Sequence, residues 1–167
     1  MSIRDILTSE GRATVFDDLL SSEEEKLLTD SLLLTSFRRM NFANRKDDHT
    51  PALAAEFEAG DFMSSLWWDR INTALNKVVH EHAYLSVQSV ICCAQGFGDL
   101  ILRRPSIVQA ERLFLRVFTN ETWGPDDGGS TLIYTKGEPV YVVHPKKYRI
   151  LLIGPGMTYS DTLPSRA

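Results

Sequence analysis

The second half of the chain carries five short segments rich in β-branched and aromatic residues, and this pattern limits the fold more than any other feature. Glycine, proline and aspartate residues separate the segments, as is typical of turns between strands. Short strands at this spacing favour a sandwich, a jelly roll or a barrel. The segments are YLSVQSVICCA (84–94), RLFLRVFTN (112–120), STLIY (130–134), PVYVVH (139–144) and YRILLIG (148–154).

The first half has a helical pattern. Ser21 and Ser22 each stand three residues before a glutamate, which is the capping-box signature of a helix N-terminus. An apolar stripe predicts a second helical block from about 52 to 82. Helices over 15–82 followed by a β-rich core over 84–164 indicate an α+β fold, and the 167 residues are expected to form a single domain, 1–167.

Charge and composition exclude several classes of function. The net charge of −4 does not predict nucleic-acid binding, and the longest apolar runs are far too short to span a membrane. The N-terminus lacks the features of a secretory signal. The two cysteines, Cys92 and Cys93, are adjacent and would point to opposite faces of a strand, so a disulfide between them is not expected. A reduced, cytoplasmic protein without nucleic-acid or membrane partners is predicted.

The segment NETWGPDDGGSTLIY (120–134) predicts a sharp return from a loop into a strand. Paired glycines, Gly128 and Gly129, allow positive φ where a side chain would clash. Asp126 and Asp127 favour the turn through hydrogen bonds between their side chains and the local backbone.

The order of features along the chain resembles the prolyl-hydroxylase-like Fe(II)/2-oxoglutarate-dependent oxygenases. The resemblance runs from about Val15 to Pro164. It implies a double-stranded β-helix, which is a cupin-like jelly roll, with N-terminal supporting helices, and it implies that Trp123 caps an open edge of the roll. It rests on VFDDLLSSEEEKLL (15–28), GFGDLI (96–101), HPKKYRILLIG (144–154) and the ordered positions Arg112, Asn120, Trp123, Gly128, Gly129, Leu132 and Tyr134.

The iron ligands of that family have no counterpart in this sequence. The family holds iron with two histidines and one carboxylate, leaving coordination sites for 2-oxoglutarate and oxygen. Where the first histidine and the acid are expected, the chain has Arg103 or Arg104 followed by Pro105 or Ser106. An arginine cannot ligate a cation. By the same resemblance Ser160 takes the place of the distal histidine, with Asp161 beside it, and Gln95 takes the place of a tyrosine.

These positions define the candidate site. The catalytic candidates are Arg104, Ser106, Ser160 and Asp161, and the candidates for ligand binding are Arg103, Arg112, Gln95, Cys93 and Trp123. An arginine in the vacated iron pocket would bind an anionic ligand, whereas the alternative is charge balance on a solvated face, which we favour for Arg116. A buried strand cysteine is more often an inert apolar residue than a nucleophile.

The positions of the four histidines do not predict a metal site. His80 and His82 stand at a predicted helix end, where a surface or capping role is more common than metal binding, and His49 lies in a polar loop. His144 precedes a proline at a predicted turn and has no nearby ligand partner in the sequence.

The resulting hypothesis is an oxygenase-like pseudoenzyme without cofactors. It would serve metal-independent catalysis or ligand binding on a small-molecule or carrier-bound substrate, for example in a biosynthetic pathway. One alternative is an active hydroxylase with atypical ligands for Fe(II) and 2-oxoglutarate. Another is a non-catalytic interaction subunit. A homodimer or a partner protein is expected where the roll leaves an open sheet edge.

Overall fold

The computed structural model describes residues 1–40, 52–79, 85–94, 106–120, 122–124 and 127–162. The fold is α+β and consists mostly of antiparallel sheets with a few helices. The chain divides into two compact units, of which the first comprises Met1–Leu19 and Gly96–Ala167 and the second comprises Leu20–Gln95. The single domain remains a prediction.

The elements are numbered in chain order. The helices are α1 (Ser22–Leu33), α2 (Ala59–Met63) and α3 (Leu66–Val78). The strands are β1 (Ser2–Thr8), β2 (Gly11–Asp17), β3 (Arg38–Met40), β4 (Ala52–Phe57), β5 (Val90–Ala94), β6 (Ser106–Ile107), β7 (Phe114–Val117), β8 (Thr131–Thr135), β9 (Glu138–Val143), β10 (Ile150–Ile153) and β11 (Thr158–Asp161).

The first unit contains two four-stranded sheets in which every neighbouring pair is antiparallel. The first sheet has the order β1-β2-β10-β7, and the second sheet has the order β6-β11-β8-β9. Tyr159 of the second sheet stacks on Phe114 of the first, with ring centroids 4.6 Å apart. Because alternate residues of a strand share a face, such contacts identify the inner face of each sheet.

The core of the first unit lies between these two sheets. Its buried side chains come from both inner faces and from the connections that flank them, so the sheets pack face to face. The members are Ile6, Ala13, Val15, Val108, Phe118, Ile133, Val143, Leu151, Ile153 and Met157.

The second unit contains the three helices and the antiparallel sheet β3-β4-β5. Helix α1 begins after Ser21, whose hydroxyl accepts from the Glu24 N–H at 3.3 Å while the Glu24 carboxylate accepts from the Ser21 N–H at 2.7 Å. The predicted capping box is therefore confirmed. Helix α3 follows the N-cap Ser65, and its buried face consists of Trp68, Ile71, Ala74 and Leu75.

Two segments of the second unit differ from the prediction. Ala52–Phe57 was expected to begin a helical block, but it is strand β4, paired with both β3 and β5. A short run of small apolar residues is compatible with a strand and with a helix. Its secondary structure is therefore decided by the strands with which it pairs, β3 and β5. Val90–Ala94 is a strand, as predicted, but the sequence assigned it to the β-rich core of 84–164, whereas it pairs with β4 of the second unit.

Among the described residues, no helix is both long enough and apolar enough to cross a membrane.

A half-buried ion pair holds the end of β2 to the residue before β10. The Arg149 Nε and Nη2 atoms donate to the two Asp17 carboxylate oxygens at 2.7 Å and 2.9 Å. The hydrogen bonds from Arg149 lower the pKa of Asp17 below its usual value of 3.8. Nearby, Lys146 contacts Asp18 at 3.0 Å, but these two side chains are 46% and 67% exposed.

We expect Asp17→Asn to lower the free energy of unfolding by roughly 1.5–3 kcal/mol at neutral pH, because it removes hydrogen bonds between charged groups. A carboxyl with a lowered folded-state pKa contributes stability above 3.8 and loses it as the pH falls through the folded-state value. The difference from wild type should therefore shrink in acid. Urea unfolding at pH values on both sides of 3.8 measures this effect.

Asp18→Asn is the matched control, because its exposed ion pair with Lys146 should contribute only about 0–1 kcal/mol. Equal losses for Asp17→Asn and Asp18→Asn, or a loss for Asp17→Asn that does not change with pH, would contradict the assignment.

Candidate functional site

A half-buried ion pair connects the two sheets of the first unit. Arg116 lies on β7 of the first sheet, and Asp161 lies at the end of β11 of the second. Arg116 donates from Nη1 and Nη2 to the two oxygens of Asp161, with an Nη2–Oδ2 distance of 2.7 Å. The two side chains are only 18% and 5% exposed. This charge pair therefore lies between the inner faces of the sheets.

Thr131 completes the cluster from β8. Its hydroxyl is fully buried, accepts from Arg116 Nη1 at 2.8 Å and donates to Asp161 Oδ1 at 3.0 Å. The guanidinium carbon also lies 5.5 Å from the Phe114 ring centroid and 5.8 Å from that of Phe118. A bidentate carboxylate neutralises the guanidinium, so the cluster of Arg116, Thr131 and Asp161 carries no net charge into the core.

The expectation that Arg116 lies on a solvated face is wrong. Its partner Asp161 is distant in sequence and reaches it only because the sheets pack face to face. A basic residue within a strand is normally assigned to the surface unless a buried acid is known to face it.

Ser160 and Asp161 point in opposite directions although they are adjacent. Asp161 faces Arg116, whereas the Ser160 hydroxyl lies 3.0 Å from the Tyr134 hydroxyl. Alternation along β11 places Ser160 on the outer face of the second sheet, away from the core between the sheets. Ser160 is nevertheless 6% exposed. The structure therefore does not bring these two predicted catalytic residues together.

A second polar group lies at the same end of the second sheet, on its outer face. The Ser130 Oγ atom is 3.0 Å from His144 Nδ1. The Ser130 N–H donates to the Thr162 hydroxyl at 2.8 Å, and the Thr162 N–H donates to the Ser130 carbonyl at 2.8 Å. The sequence left His144 without a partner. The β8–β9 register would have identified Ser130 as the partner of His144. Thr131 pairs with Val143 in this antiparallel hairpin, so Ser130 and His144 lie opposite each other.

The other candidates are dispersed. Arg112 is exposed beside β7, and Cys93 is exposed on β5 in the second unit. Its neighbour Cys92 is half-buried, and burial raises the pKa of the Cys92 thiol, which disfavours a reactive thiolate. Ser106 begins β6. Predicted positions outside the described residues are Gln95, Arg103 and Arg104 together with His49, His80 and His82.

The tryptophan loop has the geometry that its glycines predict. Gly128 and Gly129 have φ values of +70° and +67°. The Trp123 indole N–H donates to the Gly128 carbonyl at 2.6 Å, and the Asp127 carboxylate accepts from the Gly124 N–H. A Cβ atom at Gly129 would lie 2.8 Å from Trp123 Cζ2. The glycine is thus required both by its φ angle and by the indole that covers it.

The described residues do not fit an Fe(II)/2-oxoglutarate site. In the described part of the chain, no group of three or more His, Cys, Asp and Glu side chains is placed to hold a metal. The carboxylate of Asp161 is engaged by Arg116, and the hydroxyl of Ser160 bonds to a phenol. No catalytic step through iron is derived from these residues.

Comparison of the chain with protein-family models, with curated proteins and with solved structures gave no match.

We expect Gly129→Ala to destabilise the protein more than Gly137→Ala does. Both glycines have positive φ, so each alanine should cost about 1–2 kcal/mol for the backbone. A Cβ at Gly137 would meet nothing within 4 Å, whereas at Gly129 it would meet the indole at 2.8 Å. Urea unfolding should therefore show an additional loss for Gly129→Ala alone, and equal losses would contradict the packing of Trp123 on this glycine.

Removal of one partner of the inter-sheet ion pair should be strongly destabilising. Arg116→Met or Asp161→Leu leaves a buried charge unpaired, which costs about 3–5 kcal/mol. The double variant removes both charges and should recover most of that loss. A double-mutant cycle on the free energy of unfolding measures the coupling, and additive effects would show that the two charges do not interact in the folded protein.

Proposed function

We propose that this chain is a degenerate relative of the prolyl-hydroxylase-like oxygenases, a jelly-roll scaffold that binds a ligand or a partner without Fe(II) and 2-oxoglutarate. The observation that carries the proposal is the ion pair between Arg116 and Asp161, which lies between the two facing sheets and engages both oxygens of the carboxylate. The cytoplasmic location and a small-molecule or carrier-bound ligand are parts of the same proposal.

The strand pairing supports the jelly-roll part of the proposal. The six strands β6 to β11 form nested antiparallel pairs, β8 with β9, β7 with β10 and β6 with β11. The innermost and outermost of these pairs belong to the second sheet, and the pair between them belongs to the first. A long hairpin that is rolled up into two facing sheets produces this alternation, and such a roll is the jelly-roll architecture.

The chemistry of the inner face supports the loss of iron. Asp161 is the carboxylate nearest in sequence to the predicted distal ligand position, and its two oxygens accept hydrogen bonds from Arg116 and Thr131. A divalent cation would have to displace a guanidinium from this carboxylate and would then be repelled by the same guanidinium. The residues of the inner face therefore favour an ion pair over a metal.

The same inner face favours binding over chemistry within the roll. Between the sheets the buried side chains around the neutralised cluster are apolar, and Ile133, Val143 and Ile153 among them are fully buried. A catalytic acid or base needs a polar group that can change its protonation state beside a substrate. In the cluster of Arg116, Thr131 and Asp161, the three side chains hydrogen-bond to one another. The cluster therefore suits a structural role beside a binding surface.

Metal and co-substrate binding test the proposal directly. The protein is purified without oxygen, incubated with Fe(II) and 2-oxoglutarate, and assayed for bound iron and for heat of 2-oxoglutarate binding. We expect substoichiometric iron and no saturable binding of 2-oxoglutarate. One equivalent of iron in the wild type, lost in Asp161→Asn, would overturn the proposal and would favour the active hydroxylase with atypical ligands.

A further inference from the structure

We propose that Ser130 and His144 form a nucleophile–base pair that transfers the acyl group of an uncharged, apolar ester. The pair lies on the outer face of the second sheet, so the proposal is independent of whether the inner face ever holds iron. It goes beyond the scaffold role, because it assigns a reaction to residues that the oxygenase resemblance leaves unused.

The geometry is that of an activated hydroxyl. Ser130 Oγ and His144 Nδ1 are 3.0 Å apart, which is hydrogen-bonding distance. In the tautomer that carries its proton on Nε2, the imidazole accepts the serine proton through Nδ1. Ser130 is 6% exposed, and the imidazole beside it is exposed. The hydroxyl therefore lies just beneath the surface, next to a base in contact with solvent.

Both residues are held by their backbones. Ser130 exchanges two hydrogen bonds with Thr162, one through its N–H and one through its carbonyl. The carbonyl of His144 accepts from Arg149 Nη1 at 2.7 Å, and Arg149 is itself fixed by its bidentate ion pair with Asp17. Catalytic groups act efficiently when such supporting bonds limit their movement.

The surface around the pair defines the class of substrate. Because side chains alternate along a strand, Leu132, Tyr134 and Val142 lie on the same outer face as Ser130 and His144. Thr158 pairs with Ile107, and this pair continues the outer face to the edge strand β6. None of these side chains is charged, while Val142 is 41% exposed and Ile107 is 68% exposed. An apolar acyl group would lose little solvation on such a surface.

Two other hydroxyls of the second sheet bond to groups that are not bases. Ser160 bonds to the phenol of Tyr134, and Thr131 bonds to an Asp161 carboxylate that Arg116 already neutralises. Within the described ranges, His144 is the single histidine, and Ser130 is the hydroxyl that it contacts.

The reaction balances without a cofactor. Ser130 Oγ attacks the ester carbonyl carbon, and its proton moves to His144 Nδ1. The C–O bond to the alcohol then breaks, and the leaving alkoxide takes that proton from the imidazolium. Water attacks the acyl-serine as His144 accepts a proton from it, the acid departs, and the proton returns to Ser130.

Labelling with an alkyl fluorophosphonate tests the pair. Attack by Ser130 Oγ forms an O–P bond, fluoride leaves, and His144 accepts the proton. We expect one adduct per chain, located at Ser130 by peptide mass spectrometry and absent in Ser130→Ala. His144→Gln should slow labelling about 10²–10⁴-fold, the usual contribution of a general base. Because His144 is exposed, this variant leaves the core intact.

Ser160→Ala is the matched control, since it removes another buried serine of the same face and should be labelled at the wild-type rate. No adduct on wild type at millimolar probe, an adduct at another residue, or equal rates for wild type and His144→Gln would each overturn the proposal. Iron bound in the preceding experiment would overturn the scaffold proposal alone, because that experiment measures the inner face and labelling measures the outer one.

Discussion

The pairing of Arg116 with Asp161 across the two sheets is a constraint that the rest of the first unit has to satisfy. Two charges with side chains 18% and 5% exposed are tolerated only because they pair through both oxygens and because Thr131 hydrogen-bonds to both. This requirement fixes how the sheets face each other, since a shift of one residue in either strand would turn one charge outward. The apolar side chains between the sheets supply the attraction, and the ion pair supplies the register.

Strand alternation then divides the chemistry of the second sheet. Its inner face carries the neutralised cluster and the apolar core, and its outer face carries hydroxyls and one imidazole. The proposed scaffold role rests on the inner face, where a metal would have to compete with a guanidinium. The proposed acyl transfer rests on the outer face, where a hydroxyl meets a base. Adjacent residues of β11, Ser160 and Asp161, thus belong to different environments.

The loop before β8 positions Ser130 for its contact with His144 on the outer face of the second sheet. Gly128 and Gly129 adopt positive φ under the Trp123 indole and lead the chain into β8 at Ser130. The β8–β9 hairpin then returns along the same sheet, and its register places His144 opposite Ser130. The segment 120–134, which carries part of the resemblance to the oxygenases, thus places Ser130 beside His144.

The sequence by itself determined the features that depend on neighbouring residues. It predicted the capping box at Ser21, the positive φ of Gly128 and Gly129 and most of the strands in the second half, because these follow from local hydrogen bonds, backbone sterics and residue period. Only the tertiary structure decided that 52–57 is a strand, that Arg116 is half-buried against Asp161 and that 158–161 is a strand, in which Ser160 and Asp161 face opposite sides. Those outcomes depend on partners far away in the chain, and no local pattern specifies which distant strand a segment will meet.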